Sequence, residues 1–552
     1  SQKNSPAGIA RSANFDYGTN MQVGLNYANT FGKNSVTGLL LFEENYNTWD
    51  NFRAYRELMI NSEYLFAGED KNQSATSDKN GLWDYLSQSV VGQFTYDFAG
   101  KYLADFRFRY DGSSKFPEGS RWGFFPSLSA GWRISEEGFI KDRFDFLSNL
   151  KLRASYGEMG DDASASHYPP DVVGYNLDSN SRGWFFDGVL NGGVSATGIP
   201  NPNLTWYKIK MYNLALDFGV LNGKLGGTFE VFRRDRTGLL ETSSAIIPGT
   251  VGASLPKENL NSDRHFGWEI SLDHRNKVNS LNYFVNAQLS ATKKLLTYKV
   301  ETPASNSFDH WRNRYSGRYD YIWWGREAGG MYTTYEQIRN AETPMGQGSV
   351  PGDWWFVDWN EDGVVNGSDD HPVATKGLPV FNYGLSTGAS WRNFDLAVNF
   401  QGSYGVYVQY AEVLTEALAF GGQNTLTWFL DRWRPVDPDA DYFNPNTQWI
   451  EGYYPVTGHD GRRTGTNNIQ NASYMRLKTL ELGYTLPKKL LPKLGIKNLR
   501  VYVSGYNLLT FTGLKDVDPE RPGSDGGAST DYVQFYNYPV NRTYTVGASI
   551  KF

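Results

Sequence analysis

One stretch carries oxygen-bearing side chains at a spacing that suits a bound cation: "DWNEDGVVNGSD", residues 358–369. Asp358, Asn360 and Asp362 fall at positions 1, 3 and 5 of a twelve-residue loop. Gly363 allows a sharp turn, Val364 offers its carbonyl, and Asp369 closes the set at position 12. A hard ion such as Ca²⁺ wants several oxygens from a loop that can curl around it. The closing residue is Asp instead of a bidentate Glu, and no helical pattern flanks the loop; a solvated acidic turn is the plain alternative. An extracellular site needs a Kd of only about 10⁻⁴–10⁻³ M, so such a loop would stiffen a long connection and catalyse nothing. A second motif, "GLSTG", has Gly384, Ser386 and Gly388 in the spacing of a hydrolase nucleophile elbow. That chemistry needs a strand-to-helix turn, and this serine lies inside an alternating run ending at Trp391. It reads as a strand. No convergent nucleophile, base and orienting group emerges elsewhere, so no enzyme is expected and no catalytic residue is assigned.

The elements that would carry these motifs are strands. Aromatic residues make up 16 % of the 552, beside 58 glycines, a mixture that favours strands and tight turns. Mean hydropathy is −0.52, and no run of 18 apolar residues offers a membrane-crossing helix. A closed β-barrel is not excluded by this, because its strands alternate and average out as polar. Net charge is −6 with Lys and Arg scattered, which argues against nucleic acid. Cysteine is absent, ruling out disulfides and the commonest structural zinc sites. The opening "SQKNSPAGIARSANFDYG" lacks the apolar core of a signal peptide.

Period-two alternation recurs along the chain. In "KYLADFRFRY", Tyr102, Ala104, Phe106, Phe108 and Tyr110 oppose Asp105, Arg107 and Arg109. In "FDLAVNFQ", Phe394, Leu396, Val398 and Phe400 oppose Asp395, Asn399 and Gln401. One face is dry and the other wet. Roughly fifteen strands of about ten residues are expected, the first near residue 20 and the last at 543–552; ten tilted residues cross a bilayer core. Short turns at 99–100, 221–224, 276–280 and 392–393 alternate with long connections, which all fall on one side if Phe552 lies on the other. That is the asymmetry of an all-β transmembrane antiparallel barrel with long extracellular loops. In "SYMRLKTLELGYTL", Arg476 and Lys478 share the parity of Leu480, Leu482 and Tyr484, and are expected to face outward at headgroup level. "GTFEVFRRDRTG" places Arg233, Arg234, Asp235 and Arg236 at an outer strand end, expected to be a solvated rim contacting lipopolysaccharide or loops. The tryptophans of "YIWWGREAGGMY" and "DWWFVDW" could stack on sugar faces, but are expected to pack, against a partner protein or other loops. An odd strand count cannot close, so residues 1–552 are expected to be the C-terminal part of a 22-strand barrel, with a plug and N-terminal region outside the chain and a polar loop before Asn20.

Ordered blocks carry a resemblance. "ASYMRLKTLELGYTLPKKL", "NLRVYVSGYNLLTFTG", "DVDPERPG", "YPVNRTYTVGASIKF", "PGDWWFVDWNEDGVVNGSDD", "RWRPVDPDADY" and "RYDGSSKFPEGSRWGFFPSLSAGWRIS" resemble the SusC/RagA family of TonB-dependent outer-membrane transporters of Bacteroidota, from about residue 85 onward. The resemblance implies nutrient import across a Gram-negative outer membrane. The cargo would be oligosaccharides or peptides, TonB would couple energy through the missing N-terminal region, and a SusD-like surface lipoprotein would act as lid. Similarity to outer-membrane proteins generally makes the last strand, with Tyr544, Val546, Ala548, Ile550 and Phe552 on one face, the signal read by the barrel-assembly machinery. A passive porin, or a surface anchor or assembly component, is the alternative.

Overall fold

The computed structural model describes residues 7–552 apart from 59–61, 77–81, 168–169, 179–183, 197, 245–252, 321, 342–347, 376–379, 411–413, 416, 419–424, 458–464, 488, 490–494, 521–531 and 534–539. Fifteen long strands form an up-and-down meander: β1 (Gly8–Phe31), β2 (Asn34–Glu57), β3 (Trp83–Phe98), β4 (Tyr102–Ser113), β5 (Trp122–Arg133), β6 (Leu147–Asp161), β7 (Tyr207–Val220), β8 (Leu225–Thr242), β9 (Lys257–Val278), β10 (Leu281–Tyr298), β11 (Phe381–Trp391), β12 (Phe394–Tyr404), β13 (Tyr474–Thr485), β14 (Asn498–Thr512) and β15 (Thr543–Lys551). Each pairs antiparallel with the next; the short strands Gln73–Thr76 and Arg318–Tyr319 complete a 17-stranded sheet. Among the described residues nothing pairs with the outer edge of β1 or of β15, so the sheet is an open wall.

Tight turns set the register. Ala99 and Gly100 (φ 56° and 70°), Asn279 (φ 53°) and Arg392 (φ 54°) take left-handed conformations, which match the twist of two-residue hairpins. With the register fixed, faces align across strands: Phe94 lies opposite Phe106, and Phe106 opposite Leu128. These large apolar side chains all point away from the concave face and are exposed. Phe108 packs across Gly92, where a Cβ would come within 2.1 Å of its ring; only glycine leaves that space.

Three features differ from the sequence expectation. The chain before Asn20 is strand, paired residue for residue with β2 from Gly8↔Glu57 onward. Several strands also run far past ten residues at the long-loop end: β1 and β2 have 24 residues each and β9 has 22. In their outer halves the apolar row is interrupted, by Arg11 and Thr19 in β1, Thr48 and Asp50 in β2 and Arg264 in β9, which is why periodicity ended them early. Finally, Arg476 does not share the outward face of Leu480 and Leu482. The register of β13 shifts between Leu477 and Thr479 against β14, and the extra residue of this bulge reverses the facing of everything beyond it. Leu477 and Met475 then lie opposite Leu509 and Phe511 on the outward side, and Arg476 turns inward, 3 % exposed.

The long connections are folded. Val406, Val408, Leu414, Trp428, Ala472 and Leu514 form one dry cluster, and Val350, Trp433 and Val456 another. A small sheet joins Tyr407–Tyr410, Ile469–Asn471 and Tyr532–Val533. Gly352 (φ 92°) lies against Trp433, where a Cβ would sit 2.5 Å from the Trp433 Cβ, so backbone conformation and packing both require glycine. Together these segments make a cap over the long-loop end of the wall.

Candidate functional site: the concave face and its cap

The concave face of the wall is polar because alternation sends every second residue there. On its first sector Glu43 accepts hydrogen bonds from Gln22 (3.1 Å) and Asn20 (3.2 Å), while Arg109 pairs with Asp111 (3.0 Å). Arg107 donates to Asp105 (2.6 Å), which also accepts from Gln93 (3.2 Å). Further round, Arg153 of β6 reaches Asp217 of β7 (3.2 Å) and Glu230 of β8 (2.7 Å), stitching three strands together. Next comes a hollow lined by Glu269, Asn286, Gln288, Asn382, Asn399 and Gln401. Arg500 then bridges Asp395 and Glu481 (2.6 Å). The pattern is a track of amides, hydroxyls and paired charges that can exchange hydrogen bonds with a polar chain. Alternation placed these side chains on this face; which charges pair depends on register, carried by turn lengths that sequence reading did not use.

The mouth of the track is tied to the cap. Arg476 pairs with Asp518 (2.7 Å) and Glu520, and Lys478 donates to Glu520 (2.6 Å), so the segment after β14 is drawn onto the inner face. Burial works to raise the Asp518 carboxyl, but the Glu520 amide, the Arg476 guanidinium and the Val540 amide outweigh it. The group therefore sits below the ordinary carboxylate range.

The predicted cation loop lies in the cap. Asp358 accepts from the amides of Asp362 (3.2 Å) and Gly363 (2.7 Å), Asn360 from that of Asp362 (3.1 Å), and Asp362 from that of Val364 (2.9 Å). These three side chains gather their oxygens on one turn, a donor set that suits a hard cation. Val364 presents its carbonyl to Asn366 Nδ2 (3.2 Å). Asp369 is fully buried, its oxygens accepting from the amides of Trp359 (3.0 Å), Asn360 (3.4 Å) and Asn366 (2.6 Å); it anchors the loop. Among the described residues no group of three or more His, Cys, Asp or Glu side chains is arranged to hold a metal. A cation here would compete with the loop's own amides.

The loop aromatics pack on one another: Trp311 and Trp359 stack at 5.6 Å, Trp359 on His371 at 4.9 Å, and the Arg318 guanidinium lies 4.8 Å over Trp324. Ser386 sits in β11 and accepts from Asn399 (2.7 Å), as a strand residue. Tyr544, Val546, Ala548 and Ile550 lie on one face of β15 opposite Gly505, Val503, Val501 and Leu499, and Val546 is 81 % exposed. Phe552 follows, also exposed.

A family model described as TonB dependent receptor-like, beta-barrel, matches residues 2–358. The chain belongs to this family. Its outward apolar band is the lipid-facing side of an outer-membrane barrel, and its concave face the lumen. TonB-dependent receptor P26 of Formosa agariphila is 28 % identical over 487 residues, covering 86 % of this chain and 47 % of that protein. TonB-dependent receptor P3 of the same organism is 27 % identical and covers 99 % of this chain, so the similarity begins well before residue 85. TonB-dependent receptor SusC of Bacteroides thetaiotaomicron is 27 % identical over 511 residues, 87 % of this chain and 45 % of SusC. The chain spans about half the length of the curated relatives it matches. The solved RagAB peptide transporter superposes with a TM-score of 0.76 at 22 % identity, covering 99 % of this chain and 56 % of that one.

Proposed function

We propose that this receptor barrel serves active import of oligosaccharides or peptides across the outer membrane. In this reading the fifteen strands are the C-terminal wall of a larger barrel, whose plug and TonB contact lie in the same polypeptide outside these residues, and a surface lipoprotein of the SusD kind closes on the cap. The observation that carries the reading is the polar lumenal track beneath a folded cap. Its amides and internally neutralised ion pairs can hold an uncharged or zwitterionic oligomer without a net field. The free edges of β1 and β15, together with relatives about twice as long, support the larger barrel. That one solved neighbour is a peptide transporter and one relative is SusC supports oligomeric cargo.

The test is uptake by the native host. Deleting the gene should abolish uptake of one fluorescent oligosaccharide or peptide pool and leave monosaccharide entry unchanged. Collapsing the proton gradient should stop the same uptake. Uptake that persists after collapse would favour the passive porin.

A further inference from the structure

The outward face of the wall is apolar along most of its height, and among the described residues cations gather on it most densely at the long-loop ends of β6–β10. There Arg233 lies opposite Tyr212 on one side and Phe266 on the other, and Phe266 lies opposite Lys293. One rung further out, Asp235 lies opposite Lys210 and Arg264; Lys208 follows on the face of Lys210. Register thus puts five cations, Lys208, Lys210, Arg233, Arg264 and Lys293, on the lipid-facing side of four adjoining strands. Two carboxylates share the patch: Asp235 bridges Arg233 (2.6 Å) and Arg264 (2.7 Å), and Glu158 lies 3.6 Å from Lys210. Five cations against two carboxylates leave an excess of positive charge. Among the described residues Lys208 and Lys293 have no carboxylate partner, and Lys293 rests over the Tyr319 ring at 5.4 Å.

Directly below the cations the same strands present Leu214, Phe229, Val231, Ile270 and Leu289 outward. An anionic headgroup and its acyl chains therefore meet complementary surfaces stacked in the right order. The long-loop ends of β3–β5 differ: at comparable positions they carry Leu86, Tyr110, Trp122 and Phe124, all exposed. The long-loop ends of β1 and β2 carry two outward cations, Arg11 and Arg56, and Arg56 is neutralised by Asp70 (2.9 Å), so the positive excess is greatest on β7–β10.

We propose that the β7–β10 rim, with Glu158 of β6 at its border, binds the phosphate-bearing headgroup of an outer-leaflet lipid. Arg233 and Arg264, held in place by Asp235, give planar donors suited to phosphate oxygens, and the two lysines without carboxylate partners supply the remaining charge.

The test uses the full-length protein in phosphatidylcholine nanodiscs containing one-tenth bis-phosphorylated lipid A, with bound lipid counted by native mass spectrometry. Each basic residue near an anionic lipid surface contributes about fivefold in affinity. R233Q/R264Q/K293Q should therefore retain lipid A about a hundredfold more weakly than the unaltered protein, while R233K/R264K should retain most of it. Dephosphorylated lipid A should show no difference between the proteins, and unchanged heat-modifiable migration on gels certifies folding. Equal retention by the triple variant overturns the proposal. So does displacement of lipid A by millimolar inorganic phosphate, which would reassign the site to a free anion.

Discussion

The wall and the cap solve opposite problems with the same amino acids. In the wall the largest apolar residues point outward and are exposed, Leu25 at 73 % among them, while polar side chains line the inside. In the cap the pattern is that of a water-soluble protein: Phe356, Phe429 and Val408 are almost fully buried. The wall is held by backbone ladders between sequence neighbours, so it needs only alternation and turns. The cap is held by side chains from distant segments, since Val406, Trp428 and Leu514 meet in one cluster. A lipid-facing surface has no use for a jigsaw fit, because acyl chains fill any gap; a loop in water must find its own dry partners. The difference shows which solvent each part was built to meet.

The junction between the two regions is where the comparison is easiest to break. Arg476→Met removes the cation from a buried cluster and strands Asp518, while Glu520 keeps Lys478; the loss is expected to cost about 3–5 kcal/mol. Protease cleavage within 513–542 should rise sharply in the folded barrel, while heat-modifiable migration persists because the ladders remain. Unchanged cleavage would mean that the cap holds itself without the wall. Acid should mimic the variant. Asp518 has a depressed carboxyl value, so its contribution is complete above the ordinary range near about 3.9 and disappears only as pH falls through the lowered value.

Within the wall, the two faces can be set against each other. Phe106 lies mid-strand between Phe94 and Leu128 on the outward side, whereas Thr95 is inward, opposite Asp105. Phe106→Arg places a charge in the hydrocarbon and is expected to destabilise the barrel by about 2–4 kcal/mol in lipid vesicles, read from urea unfolding midpoints. Thr95→Arg, one position from Phe94 along the same strand, should change stability by less than about 1 kcal/mol. Equal penalties at both sites would remove the distinction between lipid and lumen.

Alternation made the wall legible residue by residue. The faces read for Phe94, Phe106, Leu214, Ile270 and Leu396 are those observed, because a strand with a dry side has only one way to lie. What alternation missed follows from where it stops. Gly8–Asn20 is strand, and Ile9, Ala13, Phe15 and Tyr17 continue the outward row of Met21 and Val23 with Arg11 and Thr19 interrupting it, so the alternation there is too broken to be read. Arg476 was misplaced because a bulge inserts one residue and leaves no compositional mark. The basic rim was only partly visible: "FRRDR" announced itself, but Lys208, Lys210, Arg264 and Lys293 are far apart in sequence and meet only through register. The cap was the least legible part. Its aromatics were expected to pack and do so, but nothing in the order of residues says that Leu514 completes a cluster begun at Val406.

The smallest effect is expected at the cap's acidic loop. Asp358, Asn360 and Asp362 hold their turn by accepting backbone amides, and Asp369 fastens it from beneath, so the loop keeps its shape without an ion. Calcium can then add only the mass-action term. At about 1 mM ion and a Kd of about 10⁻⁴–10⁻³ M, that term is about 0.4–1.4 kcal/mol, a modest slowing of cleavage in 299–380. Calcium should protect the unaltered protein, EDTA should remove that protection, and Asp358→Asn with Asp362→Asn should abolish it while leaving cleavage in EDTA nearly unchanged. If EDTA accelerates cleavage equally in the double variant, the ion acts elsewhere. If calcium has no effect on the unaltered protein, the loop is an acidic turn satisfied by its own amides. Asp369→Ala makes the contrast sharper. It frees the amides of Trp359, Asn360 and Asn366 in the interior, and should loosen the loop with or without calcium, because those amides lose their acceptor.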